Sequence, residues 1–193
     1  MKQTIRIIGG QYRGKKLAFP DLDGLRPTPD RVRETLFNWL MHFIRGARCL
    51  DAFSGSGALG FEAFSRGASR VVFIERAPTA FAHLQKVAAA FHAPALKVVL
   101  ADACMYMQQT SEPFDIVFVD PPFDQSHLLR CIETLAHSPL LVEGGLLYLE
   151  TPVERVLDAR IWEVVKSKKS GQVVYALYRK RMLDKETGSC FNQ

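Results

Sequence analysis

The chain has 193 residues, of which 48% are hydrophobic and 23% are charged, so it is long enough for one well-buried domain. This composition is ordinary for a globular protein and excludes collagen-like, disulfide-rich and intrinsically disordered classes. The longest apolar runs, residues 71–74 and 116–119, are far shorter than the ~20 residues that a bilayer span needs. The first residues also lack the apolar segment of a secretory signal, so we expect a cytoplasmic protein. The four cysteines show no ligand spacing, and we predict no metal site.

The basic charge is concentrated near the N-terminus. Residues 1–50 hold 10 Lys and Arg against 4 Asp and Glu, while the rest of the chain is close to neutral. A local basic surface attracts polyanions, and nucleic acid is the common partner. A solubilising face with no partner explains the charge equally well at this stage.

The N-terminal quarter of the chain is predicted to be an extension of a larger domain. Residues 4–8 and 15–19 flank a glycine-rich loop, which predicts a β-hairpin. Thr28 and Pro29 then predict the N-cap and the first turn of a helix. We therefore divide the chain into a hairpin and helix extension over residues 1–46, a main domain over 47–182 and a flexible tail over 183–193.

The main domain alternates short apolar strands with helices, a pattern that favours a parallel sheet covered on both faces. The predicted strands span residues 48–52, 70–74, 97–100, 115–119 and 146–150, and the predicted helices span residues 58–65, 78–91, 103–109 and 126–137. Residues 162–166 and 172–178 predict a closing antiparallel hairpin. The expected fold is an α/β, mostly parallel, doubly wound sheet with this hairpin at its C-terminal end.

A glycine loop follows the first strand of this domain. Gly55, Gly57 and Gly60 have G-x-G-x-x-G spacing, and they stand between a strand and a helix, where glycine lets backbone approach a ligand. Glu75 ends the next strand, where a carboxylate can accept both hydroxyls of a ribose. These positions predict a nucleoside cofactor at the carboxyl edge of the sheet.

Asp51 distinguishes between two cofactor classes. Its carboxylate ends the first strand, where it would repel a pyrophosphate but would attract the ammonium group of S-adenosylmethionine. An alternative is that Asp51 only caps the loop. Asp102, after the third strand, either bonds an adenine amino group or is the N-cap of the following helix.

The fourth strand leads into Asp120, Pro121, Pro122 and Phe123. An exocyclic amine of a base is a poor nucleophile because its lone pair is delocalised into the ring. The Asp120 carboxylate and the Pro121 carbonyl can draw its two N–H bonds out of the ring plane, and proline fixes that turn. Phe123 can stack on a base extruded from its helix. The string predicts transfer of a methyl group to such an amine, in which positioning supplies much of the rate.

Several strings together resemble those of bacterial 16S ribosomal RNA guanine-N2 methyltransferases. They are residues 6–17, 25–28, 31–39, 50–60 and 120–123. The resemblance covers about residues 5 to 180, and its N-terminal strings are more specific than the motifs shared with adenine-N6 enzymes.

The resemblance implies a Rossmann-like, S-adenosylmethionine-dependent enzyme that methylates one guanine of the small-subunit RNA, within an assembling or assembled particle. It implies that the base is received by residues 120–123. The predicted cofactor-binding residues are Asp51, Ser54, Gly55, Gly57, Glu75, Asp102 and Ala103.

Four residues around the start of the first helix are predicted to contact RNA: Arg26, Arg31, Arg33 and Asn38. Arginine contacts to phosphate position RNA without reading its sequence. Solvated charge is the alternative for the arginines, and a local hydrogen bond is the alternative for Asn38.

Three other functions remain open from the sequence. An adenine-N6 methyltransferase acting on nucleic acid would use the same Asp-Pro-Pro-Phe turn. A non-catalytic RNA-binding factor in ribosome assembly would keep the fold without the chemistry. A nicotinamide oxidoreductase would use the glycine loop differently.

Overall fold

The computed structural model describes residues 3–19, 27–121 and 125–182. Nine strands and five helices are found in these ranges. The strands are β1 (Gln3–Arg6), β2 (Lys16–Phe19), β3 (Arg48–Asp51), β4 (Arg70–Glu75), β5 (Leu96–Leu100), β6 (Phe114–Val119), β7 (Leu141–Thr151), β8 (Trp162–Ser170) and β9 (Val173–Lys180). The helices are α1 (Asp30–Trp39), α2 (Ala58–Ser65), α3 (Pro78–Ala89), α4 (Ala103–Gln109) and α5 (Gln125–His137).

Seven strands form the central sheet in the order β5-β4-β3-β6-β7-β9-β8. The five strands from β3 to β7 pair in parallel, and β9 pairs antiparallel with both β7 and β8. The predicted doubly wound sheet with a closing antiparallel hairpin is confirmed. The chain direction across the sheet reverses between β3 and β6, and ligands bind outside the carboxyl ends of the strands at such a switch point.

Both faces of the sheet are covered because its central strands are apolar on both sides. Side chains at alternate positions of β6 enter two separate clusters: Ile116 and Phe118 join one, and Val117 and Val119 join the other. The edge strand β8 is mostly exposed, as expected for a strand at the margin of a sheet. Among the described residues, no helix combines the length and apolar character needed to cross a bilayer.

The N-terminal segment packs on one face of the sheet. Leu36 and Phe37 of α1 are fully buried and share a hydrophobic cluster with Phe118 of β6. The cluster also includes Ile5 of β1 and Leu17 of β2. The predicted hairpin is present as the antiparallel pair β1–β2, so the basic first quarter of the chain is held against the domain by apolar contacts.

The prediction that Thr28 caps α1 is wrong. The helix begins at Asp30, Pro29 occupies the N-cap position, and no side chain caps the helix. Thr28 lies one residue earlier and is buried. Its hydroxyl instead interacts with two carboxyl groups on the sheet, described below.

Candidate active site

Four carboxyl side chains stand at the ends of four neighbouring strands. In the order of the sheet they are Glu75 at the end of β4, Asp51 at the end of β3, Asp120 directly after β6, and Glu150 near the end of β7. Residues two positions before three of them, Phe73, Phe118 and Tyr148, belong to one hydrophobic cluster. Because side chains of a strand alternate between faces, the row lies on the face of the sheet that α1 covers. We call these four residues the acidic row.

Asp51 is the most buried member of the acidic row, with 3% of its surface exposed. Its Oδ2 accepts a hydrogen bond of 2.9 Å from the backbone N–H of Gly60. Burial raises the pKa of Asp51 to about 7, the bond from Gly60 opposes this rise, and the negative charge of Glu75 adds to it. The bond to Gly60 shows that Asp51 holds the start of α2, as the alternative interpretation required.

The glycines of the loop are also needed for packing. Gly57 has a φ of +76°, and a Cβ there would lie 2.5 Å from the Phe61 ring. A Cβ on Gly60 would lie 2.2 Å from the ring of Phe73, so α2 rests directly on β4. Ser54 is buried, and its hydroxyl donates to the carbonyl oxygen of Asp51 at 2.8 Å. These contacts fix the loop beside the acidic row.

Glu75 holds the other side of the glycine loop. Its Oε2 accepts from the N–H of Gly55 at 2.9 Å, and its Oε1 accepts from the N–H of Ala77 at 2.8 Å. Each carboxylate oxygen has a second lone-pair site. The side chain is therefore oriented by the backbone and retains acceptor sites for two further hydroxyl groups.

Asp102 is the N-cap of α4, and its Oδ1 accepts from the N–H of Met105 at 3.1 Å. Its Oδ2 lies 3.6 Å from Nε2 of His127. Ala103 is buried in the first turn of the same helix. The capping interpretation of Asp102 is confirmed, and the contact to an adenine stays a prediction.

Asp120 lies in an environment that disfavours a negative charge. Burial raises its pKa well above the ordinary value for an aspartate, the charges of Glu150 and Asp51 raise it further, and a hydrogen bond with the Thr28 side chain lowers it. Pro121 follows it within the described residues. Pro122 and Phe123 lie outside the described residues.

Sequence reasoning missed three residues beside Asp120. Val119 and Leu149 are register partners in the parallel pair β6–β7, so Glu150 is the lateral neighbour of Asp120. Glu150 accepts a hydrogen bond of 2.7 Å from the hydroxyl of Tyr148, and it also hydrogen-bonds with Thr28. The sequence did contain a signal that could have identified Glu150 as a site residue. It lies at the end of a predicted strand, and Asp120 directly follows another.

The prediction that Arg33 contacts RNA is wrong. Only 1% of the Arg33 side chain is exposed. Its Nε donates to the carbonyl oxygen of Thr28 at 3.2 Å, and a terminal nitrogen donates to the carbonyl oxygen of Arg6 at 3.1 Å. A buried guanidinium with these partners cannot reach a phosphate.

Two of the other predicted RNA contacts are accessible. Arg31 and Asn38 are exposed on α1, and Arg26 lies outside the described residues. A cleft of about 310 Å³ lies between the hairpin and the segment that precedes α1. Its lining includes the basic residues Arg6 and Lys16, the acidic residue Asp30, and Thr28.

Comparison with known proteins shows the class of protein to which this fold belongs. The chain is similar to the solved structure of yhhF from Escherichia coli, with a TM-score of 0.87 and 45% identity over 94% of this chain and 100% of that one. It is similar to HI0767 from Haemophilus influenzae with a TM-score of 0.80 and 37% identity over 93% and 100%. A curated relative from Escherichia coli strain K12, named Ribosomal RNA small subunit methyltransferase D, is 47% identical over 91% of this chain and 90% of its own length. The fold, the glycine loop and these relatives define a Rossmann-like methyltransferase.

A family model that matches most of the chain shows the family to which the protein belongs. The family described as Conserved hypothetical protein 95 matches residues 5–179. A second relative named Ribosomal RNA small subunit methyltransferase D, from Haemophilus influenzae, is 40% identical over 92% of this chain and 95% of its own length. The chain belongs to this family.

Proposed function

We propose that the protein transfers a methyl group from S-adenosylmethionine to the exocyclic N2 amine of one guanine in the 16S RNA of the small ribosomal subunit. The observation that carries the proposal is the acidic row along the carboxyl edge of the sheet. The names of the two methyltransferase D relatives support ribosomal RNA as the substrate. The choice of guanine rests on the resemblance of the N-terminal strings.

The acidic row suits a cationic ligand without phosphate groups. Asp51 and Asp120 ionise more readily beside a positive charge, whereas a pyrophosphate would add to the negative charge that this site already disfavours. This argues against a nicotinamide cofactor. The loop of Ser54, Gly55 and Gly57, with Glu75 beside it, would hold the nucleoside. S-adenosylmethionine supplies a methyl group activated by a positively charged sulfur.

The ends of three neighbouring strands, β3, β4 and β5, would hold this ligand. Asp51 and Glu75 lie on β3 and β4, and Asp102 and Ala103 start α4 after β5. Asp102 keeps acceptor capacity because a carboxylate has about four lone-pair sites, of which the N–H of Met105 uses one and the nearby His127 ring can use a second. That capacity suits the amino group of an adenine.

The amine that receives the methyl group would be held by Asp120 and Pro121. The carboxylate of Asp120 and the carbonyl of Pro121 accept its two N–H bonds and free the nitrogen lone pair for attack on the methyl carbon. Alignment of the nitrogen with that carbon supplies much of the rate. In this proposal Pro122 shapes the turn and Phe123 stacks on the flipped base.

The N-terminal extension, residues 1–46, would bind the RNA backbone. Arg31 and Asn38 are exposed on α1, and Arg6 and Lys16 contribute positive charge to the neighbouring cleft. Arg26 belongs to the same proposed surface. Such contacts set the register of the RNA, and the flipped guanine then enters beside Asp120.

The test is methyl transfer to defined RNA. Small subunits and their naked RNA, prepared from cells that lack the protein, are incubated with the purified protein and labelled S-adenosylmethionine, and the modified nucleosides are identified by mass spectrometry. We expect N2-methylguanosine at one position. Detection of N6-methyladenosine would instead show an adenine-N6 methyltransferase. Binding of RNA without any methyl transfer would show a non-catalytic factor in ribosome assembly. The Asp120→Ala variant controls for contaminating methyltransferases.

A further inference from the structure

Three exposed lysines occupy the C-terminal half of the edge strand β8: Lys166, Lys168 and Lys169. Within the part of the chain that the structure describes, none of them forms an ion pair. Glu163, the acid of this strand, lies at its opposite end, where it pairs with Arg179 at 3.7 Å. The C-terminal half of β8 therefore presents uncompensated positive charge to solvent.

These lysines lie toward the edge of the sheet that holds the acidic row. β8 pairs antiparallel with β9, and β9 pairs antiparallel with β7, so β8 runs in the same direction as the parallel strands. Glu150, Tyr175 and Lys168 are successive register partners on β7, β9 and β8. Three strand spacings of about 4.8 Å therefore put the backbone of Lys168 about 14 Å from that of Asp120.

A β-bulge decides which face of the sheet each lysine occupies. The register of β8 with β9 shifts between Val164 and Lys166, and the extra residue of a bulge changes the face on which the following side chains lie. As a result Lys166 lies opposite Leu177. Lys168 lies opposite Tyr175, and both partners belong to the hydrophobic cluster that α1 joins. Because opposite residues of an antiparallel pair share a face, Lys166 and Lys168 stand on the α1 face of the sheet.

Lys169 stands on the other face. Its register partner on β9 is Val174, and the next partner on that face, Ala176, belongs to the second hydrophobic cluster. Lys169 is also exposed, and it directly follows Lys168 in the chain. The strand therefore contains a matched control, a lysine that is equally close in sequence but points away from the α1 face.

The end of α1 packs beside the lysine-bearing face of β8. The ring of Trp39 stacks on that of Tyr175 with a centroid distance of 5.4 Å. Tyr175 is also the register partner of Lys168. Asn38, a proposed RNA contact, is exposed and directly precedes Trp39. The RNA-binding surface proposed for α1 therefore adjoins the lysines of β8.

The exposed surface of α1 holds little net positive charge by itself. Arg31 is exposed there, whereas Arg33 is buried. The acidic residues Asp30 and Glu34 are also exposed on this helix. A polyanion that contacts α1 therefore needs positive charge from a neighbouring element, and β8 provides it.

We propose that Lys166 and Lys168 bind the phosphate backbone of the RNA on the β8 side of the acidic row, as a second contact in addition to the N-terminal extension. The inference rests on the proposed function, because the polyanion is the RNA that carries the target nucleotide. Contacts with phosphate fix the position and orientation of RNA without reading its sequence. Binding at α1 and at β8 together sets the direction in which the RNA crosses the site.

A second explanation for the lysines is protection of the sheet edge. Charged side chains, lysine above all, oppose the pairing of an exposed edge strand with another chain. That role does not depend on the face of the sheet, so it predicts the same behaviour for Lys168 and Lys169. RNA binding on the α1 face predicts different behaviour for the two, and the experiment uses this difference.

The test measures RNA affinity as a function of salt concentration. Small subunits and their naked RNA, from cells that lack the protein, are titrated with the wild type, with the double variant Lys166→Gln/Lys168→Gln and with the control Lys169→Gln. In the double variant we expect Kd to rise ~10-fold or more at about 0.1 M salt and the slope of log Kd against log salt to fall by about two, because two phosphate contacts are lost. Lys169→Gln should keep the wild-type Kd and slope. Thermal unfolding checks that all three proteins are equally stable, as expected for substitutions at exposed positions.

The possible failures are distinguishable. A slope that does not change in the double variant, or that changes equally in Lys169→Gln, overturns the inference and leaves the proposed function standing. Weaker binding of small subunits with unchanged binding of naked RNA also overturns it, because the partner would then be an acidic protein surface. Binding of RNA by the wild type without any methyl transfer overturns the proposed function alone. Absence of binding to either form of the RNA overturns both.

Discussion

The guanidinium of Arg33 and the carboxylate of Glu62 lie 3.6 Å apart, and their side chains are 1% and 0% exposed. Glu62 belongs to α2, the helix that follows the glycine loop, and its oxygens also accept from the N–H groups of Ile8 and Gly9 at 2.8 Å. Arg33 belongs to α1 and bonds the carbonyl oxygen of Thr28. This ion pair therefore fixes the N-terminal hairpin, the helix after the glycine loop and Thr28 relative to one another.

Replacing Arg33 by Met should lower the free energy of unfolding by about 1–3 kcal/mol, because it leaves the carbonyl oxygens of Thr28 and Arg6 without their buried donor. Glu62 keeps a positive partner, because Nε of Arg66 lies 2.7 Å from its carboxylate. Chemical denaturation monitored by circular dichroism measures the change. Arg31→Met, on an exposed position of the same helix, is the matched control and should change stability by less than about 0.5 kcal/mol. Equal effects of the two substitutions would contradict the structural role of Arg33.

Arg31→Ala should weaken binding of small-subunit RNA and reduce the slope of log Kd against log salt by about one, as expected for a lost phosphate contact. Fluorescence anisotropy over a range of salt concentrations gives both quantities. Asn38→Ala should weaken binding without changing the slope, because it removes no charge. An unchanged slope in Arg31→Ala would mean that this side chain is only solvated.

Asp120→Ala should reduce kcat by ~10²-fold or more, because the amine loses an acceptor that positions it for attack. The affinity for S-adenosylmethionine should change by less than ~10-fold, since the proposed ribose and adenine contacts do not involve Asp120. Single-turnover methyl transfer and calorimetric titration separate the two effects. A comparable loss of both would show that Asp120 has been assigned the wrong role.

Glu75→Ala should mainly weaken cofactor binding and should change kcat much less. It removes the acceptor of the proposed ribose bonds and releases the N–H groups of Gly55 and Ala77, so cofactor affinity should fall by ~10- to 100-fold. At saturating cofactor, kcat should stay near the wild-type value. Glu75→Gln keeps one acceptor oxygen and should lose less affinity. A fall in kcat at unchanged Kd would argue against a ribose contact.

Asp51 should make stability depend on pH in a specific direction. Its pKa rises from 3.8 to about 7 on folding, so between these values the folded state holds a proton that the unfolded state has lost. The contribution of Asp51 to stability is therefore greatest below about pH 4 and falls as pH rises through 7, by up to ~4 kcal/mol. Asp51→Asn should be more stable than the wild type at about pH 8, and the difference should vanish near about pH 4.

Thermal unfolding of the two proteins over this pH range measures the effect. Groups that do not interact with Asp51 titrate equally in both proteins and cancel in the difference. The pKa of Asp120 is raised by the charge of Asp51, so the loss of that charge adds to the difference in the same direction. A difference that grows on acidification would contradict the raised pKa of Asp51. Stabilisation of Asp51→Asn is expected to come with weaker cofactor binding, as is common where a site holds a buried charge.

The sequence alone determined the order of elements in the main domain, and it predicted the carboxyl edge of the sheet as the location of the candidate site. The apolar runs at 71–74 and 116–119 are long enough only for strands, and the helices between the strands require parallel pairing. The sequence also identified the glycine loop, Glu75 and Asp120 as candidate site residues, because each lies at or just after the predicted end of a strand.

The tertiary structure decided which of these side chains meet. Glu150 becomes the neighbour of Asp120 only through the lateral pairing of β6 with β7, and Thr28 joins them only because α1 packs across that face. Arg33 looked like a surface charge until packing of α1 against α2 buried it beside Glu62. Pairing and burial depend on contacts between residues far apart in the chain, and a local pattern contains no information about them.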